Sequence, residues 1–422
     1  MWLPDELDAS GLIAVVERAA PSRTNLEEAL RLLDRLAHRA GALEGGAPGS
    51  GILTDLPREL WAERLGQPEA VQAPGFFVGH LFFPDPGRDW SRRVEDALAA
   101  AGAQVLWSKP GEVLEAPAGT SGGNADLVFW QVAGLLPGPG PDARLFELSL
   151  ELEDRLGVHV LSLSRQQVAY KAACGPEALA RTYAELAHPL FRTRATIAHT
   201  QTSSGSVARL GRLQPCRILA HCGALSTAAA LRDEAMSLNV PLQREAGPSQ
   251  TLDRLLGALL HRFGLDLVEA LHMLFPPVPS EVSRMAPDLQ DLFVFSRQAL
   301  GPVVQGPAAL VARAGSWLVA LVDALGFKPL WLLETEDRWL FSSEPGVVPL
   351  DDLTTDPKPL APGEKVAIRL DGPGAALLDA GAAVIHALAQ ARARHWPLAG
   401  RRCDLREAAP VREPGPASGA PA

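Results

Sequence analysis

The chain has 422 residues, 47% hydrophobic and 21% charged, the make-up of an ordinary globular protein. A formal net charge of −10 argues against a general nucleic-acid binder, which carries a basic stripe. No membrane span is expected, because Arg, Asp, Gly or Pro interrupts each Ala- and Leu-rich stretch. The acidic opening Met-Trp-Leu-Pro-Asp-Glu is unlike a secretory signal, so the expected location is cytoplasmic.

In chain order, apolar, β-branched or aromatic runs bounded by turn residues predict strands at 12–16, 51–53, 76–83 and 127–132. Between them, Leu26, Ala29, Leu30, Leu33, Leu36 and Ala37 fall on one helical face, and 88–101 has a similar spacing. A Pro/Gly connector at 135–142 precedes further strands at 159–163, 168–171, 196–199 and 218–221. A helical block follows over 227–296, with Leu252, Leu255, Leu256, Leu259 and Leu260 as its apolar stripe. Strands return at 308–311, 317–322, 330–333 and 339–342, and 375–394 reads as a terminal helix. From 408 onward Pro, Gly, Ala and Ser dominate, and too few large apolar groups remain to offset the entropy of ordering, so a disordered tail is expected. The pattern is a mixed layered domain without internal repeats.

Cys174, Cys216, Cys222 and Cys403 are too few and too scattered for a disulfide framework. His199, Cys216, His221 and Cys222 are ligand types that suit zinc. His221 and Cys222 are adjacent on a predicted strand, however, so their side chains leave on opposite faces and buried thiols are the expectation. The glycine run ending at Gly51 is not a phosphate loop, because no Gly-Lys-Ser/Thr follows, and no cofactor is implied.

A set of ordered landmarks resembles the class II amidotransferase domain of glutamate synthase. Leu33 to Ala42 resembles the family's helix ending in His-Arg-Gly-Ala. Gly49-Ser50-Gly51-Ile52-Leu53 with Leu56-Pro57 resembles its Asp-Gly-Ala-Gly-Ile-Leu strand and the following Ile-Pro. Phe76 to Pro84, His159 to Lys171, Gln214-Pro215-Cys216-Arg217, Gly306-Pro307-Ala308, Gly326-Phe327-Lys328-Pro329 and Ser343-Glu344-Pro345-Gly346-Val347 match further signatures in the same order. The resemblance implies an α+β fold, a four-layer αββα N-terminal-nucleophile hydrolase-like sandwich. It places that domain over 1–370, a C-terminal helix and extension over 371–407, and the tail over 408–422. The chain ends where the family's central, flavin-binding and β-helical regions would begin, so less than a whole synthase subunit is expected.

The resemblance also implies site positions. The family's nucleophile is an N-terminal cysteine whose own α-amine is the base, an amine suited to this because it titrates near neutrality. The matching residue here is Ser10, which has only an amide nitrogen unless the leader before it is removed. A serine that merely starts a strand is the simpler expectation. The oxyanion-hole positions fall on Cys222 and Gly223, where a thiol replaces the family's Asn amide. Gln201 stands where an arginine would clamp the substrate carboxylate, and an amide lacks that charged fork. Pro248 stands where an acid would hold the substrate ammonium, although Leu252-Asp253 persists. Arg39, Gly49 and Gly51 either line a remnant pocket or are a solvated arginine and a small-residue turn. Three functions compete: an inactive amidotransferase-like protein with a binding, regulatory or assembly role, an active glutamine amidotransferase or amidohydrolase using a processed Ser10, and a small-molecule sensor that uses the remnant cleft without chemistry. Expected partners are glutamate synthase-like subunits or a small molecule in the remnant cleft.

Overall fold

Among the residues described by the computed structural model (10–40, 48–83, 89–114, 128–202, 212–243, 246–301 and 304–394), sixteen strands form. They are β1 (Ser10–Glu17), β2 (Pro48–Asp55), β3 (Phe76–Phe83), β4 (Gln104–Pro110), β5 (Val128–Leu135), β6 (His159–Ser164), β7 (Gln167–Ala172) and β8 (Ala195–Thr202). The series continues with β9 (Leu219–Gly223), β10 (Ala308–Ala314), β11 (Trp317–Val322), β12 (Trp331–Glu334), β13 (Arg338–Ser342), β14 (Lys358–Pro359), β15 (Lys365–Arg369) and β16 (Ala376–Leu378). The leader before Ser10, Ala42, Pro84, Cys403 and the expected tail lie outside the described residues.

The strands form three sheets, in the orders β14-β12-β13-β1-β8-β2-β7, β16-β15-β11-β10-β9 and β4-β5-β3-β6. The paired strands run antiparallel throughout, which makes the fold mixed α+β and excludes a doubly wound parallel sheet. All eight residues of β1 are buried, as a strand with sheet neighbours and both faces covered must be.

Side-chain alternation decides what each face meets. Ala309, Val311, Leu318 and Ala320 share one core with β1 and β2, whereas Leu310, Ala312, Val319 and Leu321 pack against Leu252, Leu255, Leu256 and Leu259 of helix Pro248–His261. On the far side of the seven-stranded sheet, Leu26, Ala29 and Leu33 of helix Arg23–Arg35 join the core, and Asn25 Nδ2 donates to the Val15 carbonyl at 3.2 Å. The four-stranded sheet has its own core with Val94, Leu98, Leu145 and Leu148. A buried polar group ties it to β7: His80 Nδ1 donates to the Ala169 carbonyl at 3.0 Å, and the Tyr170 hydroxyl donates to Glu185.

Three differences from the sequence reading have physical reasons. β4 lacks a buried face to announce it, being an edge strand, mostly half-buried, with a register shift between Val105 and Trp107. β15 begins on the buried Lys365, which masks its short apolar centre. The expected helix over 375–394 starts only at Ala380, capped by Asp379, whose side chain accepts from the Ala382 N–H at 2.8 Å, because 376–378 pairs with β15 instead.

Candidate functional site

The expected site residues converge at one end of the two stacked sheets. Pairing of β1 with β8 sets Ser10 opposite Gln201, and pairing of β8 with β2 sets Gln201 opposite Gly49. Ser10, Gln201 and Gly49 therefore form one row across three strands, about 4.8 Å apart from strand to strand. The next row on the same face is Leu12, His199 and Gly51. This face looks toward the second sheet, because Cys222 Sγ on β9 lies 3.7 Å from His199 Nε2. The opposite face looks toward the helices: a Cβ on Gly11 would sit 2.9 Å from Leu36 Cβ.

Each position is held by identifiable contacts. Ser10 is buried, and its carbonyl accepts from Arg39 Nη1 at 3.4 Å. Arg39 is thus a neighbour of Ser10, not a solvated arginine, and its guanidinium pairs with Glu344. Glu344 also meets His38 Nε2 at 2.8 Å; burial pushes its carboxyl up, but the hydrogen bonds from Arg39 and His38 together outweigh it and hold the carboxyl below the usual range. The preceding Ser343 locks this segment onto the start of β1, its hydroxyl accepting from the Leu12 N–H at 3.2 Å and its N–H donating to the Leu12 carbonyl at 3.0 Å.

The glycines are small because the chain crosses over them. A Cβ on Gly49 would meet Leu213 Cδ2 at 2.2 Å, and one on Gly51 would meet the Gln214 carbonyl at 2.5 Å. Gln214, followed by a cis peptide to Pro215, fastens this crossing to β9: its Nε2 donates to the His221 carbonyl at 3.0 Å and its Oε1 accepts from the His221 N–H at 2.7 Å. Gly223 has φ 126°, and a Cβ there would lie 2.1 Å from the Pro307 carbonyl oxygen. Only glycine suits that position.

Gln201 and the Pro248 region meet through one acceptor. The Arg212 carbonyl accepts from Gln201 Nε2 at 3.4 Å and from Gln250 Nε2 at 3.2 Å. Pro248 occupies the first position of its helix, where a missing N–H costs nothing. The following Ser249 meets His221 Nδ1 at 3.2 Å. His221 and Cys222 thus point to different sides of β9, as adjacent strand residues do, and their side chains do not converge on a shared ligand position. Burial, reinforced by neighbouring His221, pushes His199 down to about 3, so the imidazole beside Cys222 is neutral at ordinary pH.

In the sequence Asp253 stands out only as part of a persisting Leu-Asp pair, and Leu213 not at all. Asp253 is buried and accepts from the Ile218 N–H at 2.7 Å and the Leu219 N–H at 3.3 Å, anchoring the strand that carries Cys222 and Gly223. Leu213 fills the space over Gly49. The quoted Ser-Glu-Pro-Gly run was the available signal for Glu344, whereas nothing local marks Leu213.

Chemically, the row has no charged side chain, and its amide is engaged by the chain's own backbone. Among the described residues no helix is long and apolar enough to cross a membrane.

A family model described as "Glutamine amidotransferases class-II" matches residues 10–376, beginning at Ser10. Ferredoxin-dependent glutamate synthase 2 of Synechocystis is 27% identical over 404 residues, covering 87% of this chain and 26% of that protein. Glutamate synthase [NADH] of Saccharomyces cerevisiae is 24% identical over 86% of this chain and 19% of its own length. The glutamate synthase [NADPH] large chain of Azospirillum brasilense is 24% identical over 87% of this chain and 26% of its own length. The chain therefore spans about a quarter of these relatives or less. A solved structure described as the allosteric regulatory enzyme of purine biosynthesis aligns at 12% identity with a TM-score of 0.42, covering 87% of this chain and 48% of that one.

Proposed function

Because the chain belongs to the class-II glutamine amidotransferases, we propose that it is a glutamate synthase-like amidotransferase domain that no longer hydrolyses glutamine and keeps a binding, regulatory or assembly role. The layering of helix, sheet, sheet and helix is then the N-terminal-nucleophile sandwich. The observation that carries the reading is the Ser10–Gln201–Gly49 row. A zwitterionic amino acid entering there would give up hydration without finding, in that row, an opposite charge for its carboxylate. Instead, Gln201 donates to Arg212 and Leu213 lies over Gly49. Gly223 retains a backbone donor, but replacement of the family's oxyanion-hole Asn by Cys222 removes a strong one, a loss of about 3 kcal/mol in the transition state. On this reading the partners are separate glutamate synthase-like subunits or a ligand of the remnant cleft.

The test is glutamate release from glutamine by purified protein, together with labelling by a glutamine-analogue electrophile. Neither should exceed background. Turnover above background that vanishes in Ser10→Ala would overturn the reading.

A second reading has one observation in its favour. Ser10 stands at the cleft-end terminus of β1, and the family match starts on it. Removal of residues 1–9 would give Ser10 a free α-amine to act as its base, making the domain an amide hydrolase. Intact mass of the mature protein decides between the two: a mass short by those nine residues supports processing.

A further inference from the structure

A second hollow lies at the opposite end of the same two sheets. Its walls come from the residues that close the strands away from Ser10: Asp55 ends β2, Arg194 precedes β8, and Gly315 and Ser316 join β10 to β11. The eight residues of β1 put it roughly 25 Å from the Ser10 row. The cavity has a volume of about 650 Å³, within the range of small-molecule sites.

Five arginines line it, Arg58, Arg165, Arg192, Arg194 and Arg313, against the carboxylates Asp55, Glu59 and Asp371. Three arginines have an acidic partner. Arg313 pairs with Asp55, Arg165 pairs with Asp142 behind the wall, and Arg192 faces Glu59 at 3.5 Å. Asp371 in turn meets Arg369 at 3.3 Å. Arg58 and Arg194 are held differently. Arg58 donates to the carbonyls of Val71 and Arg165, and Arg194 to those of Leu370, Gly372 and Ala19. Carbonyls satisfy N–H groups but cancel no charge, so two guanidiniums leave the wall with a surplus of positive charge. Burial and the nearby Arg165 cation lower the Arg58 pKa, the direction expected when a cation lacks a counter-ion. The chain's net charge of −10 makes this basic hollow a local exception.

We propose that this cavity binds a small multivalent anion, phosphoryl- or carboxylate-bearing, with Arg58 and Arg194 supplying the countercharge and the half-exposed Arg192 completing the grip. Guanidinium forks match both groups bidentately. This site does not depend on whether the Ser10 cleft is active.

The test is calorimetry and thermal melting of the full-length protein with pyrophosphate in one arm and citrate in the other, against sodium chloride at equal ionic strength. At least one anion should bind saturably, with a melting rise absent in the chloride control. Binding of pyrophosphate alone assigns a phosphoryl ligand, binding of citrate alone a polycarboxylate, and binding of both a general multivalent-anion site. Arg192→Glu, on the rim, should weaken binding at least tenfold while leaving the melting point of the free protein in place. Arg58→Gln, which removes the charge while keeping a polar side chain, should weaken binding by at least as much. No anion-specific binding, or binding unchanged in both variants, would overturn the proposal.

Discussion

At the Ser10 end of the stacked sheets, the side chains that cross the strands are neutral, and Gln201 donates to the chain's own backbone. At the other end, β2 finishes on Asp55, which accepts from the Thr193 hydroxyl at 3.0 Å and from the Arg194 and Ala195 N–H groups, and pairs with the buried Arg313. The row across one terminus of these strands is thus neutral, with the Arg39–Glu344 pair beside it, whereas the other terminus is built on charge. A half-buried carboxylate with this many partners organises the fold, because removing it strands the buried Arg313 cation. Neutral groups bonded to backbone carry less. The frame and the reaction therefore place separable demands on the two ends, and a chain can keep the first while altering the second.

The largest expected effect tests that separation. Asp55→Ala should cost about 3–5 kcal/mol in urea unfolding, since it leaves Arg313 buried without its partner. A loss under about 1 kcal/mol would break the contrast. Gly223→Ala comes next, at about 2–3 kcal/mol by the same measurement, because its backbone lies at φ 126° and the new Cβ would overlap the Pro307 carbonyl. Here the cleft end itself would prove structurally demanding, but through its backbone alone.

The third prediction concerns acid. His199 titrates at about 3 in the folded chain and near 6.5 when unfolded. Because the folded value is the lower, the unfolded state takes up the proton first. Stability is then full above about pH 6.5 and falls as pH drops toward 3, by up to about 1.4 kcal/mol per unit. His199→Gln should remove that much of the slope between pH 6.5 and 5, read from unfolding curves at each pH. An unchanged slope would remove His199 from the account. His159, at about 4, and His272, at about 3, add slopes of the same sign. The smallest effect is Ser10→Ala, expected within about 0.5 kcal/mol of the parent, since no described side-chain bond of Ser10 is lost with its hydroxyl.

Some of this architecture was legible in the residues. The strands 76–83 and 317–322 match their sequence limits because aromatic or β-branched runs end abruptly in turn residues. Strand order was not legible, since β1 finds its neighbours near residues 200 and 340 and nothing in its own sequence encodes them. The family resemblance names Ser10, Gln201, Cys222, Gly223 and Pro248, and the structure sets Ser10 opposite Gln201 and Cys222 against His199 in the next row. What the residues around those positions do was not legible: Arg39 reads as a surface arginine until Glu344 arrives from 305 residues away. Asp253 likewise reads as one polar residue on an apolar helix until the Ile218 and Leu219 N–H groups meet it.

The place of β1 between β8 and β13 has a consequence for the chain as it is made. Its apolar sequence emerges early, yet its second edge stays open until β13 is synthesised. At about 5–20 residues per second, the interval from Thr202 to Arg338 alone takes on the order of ten seconds. Throughout that time an apolar strand with unpaired amides offers a template to any neighbouring nascent chain. Shortened forms ending before Arg338 will hold that exposure permanently and also lose core residues such as Leu340, Phe341 and Ile368, and aggregation during synthesis will lower their yield.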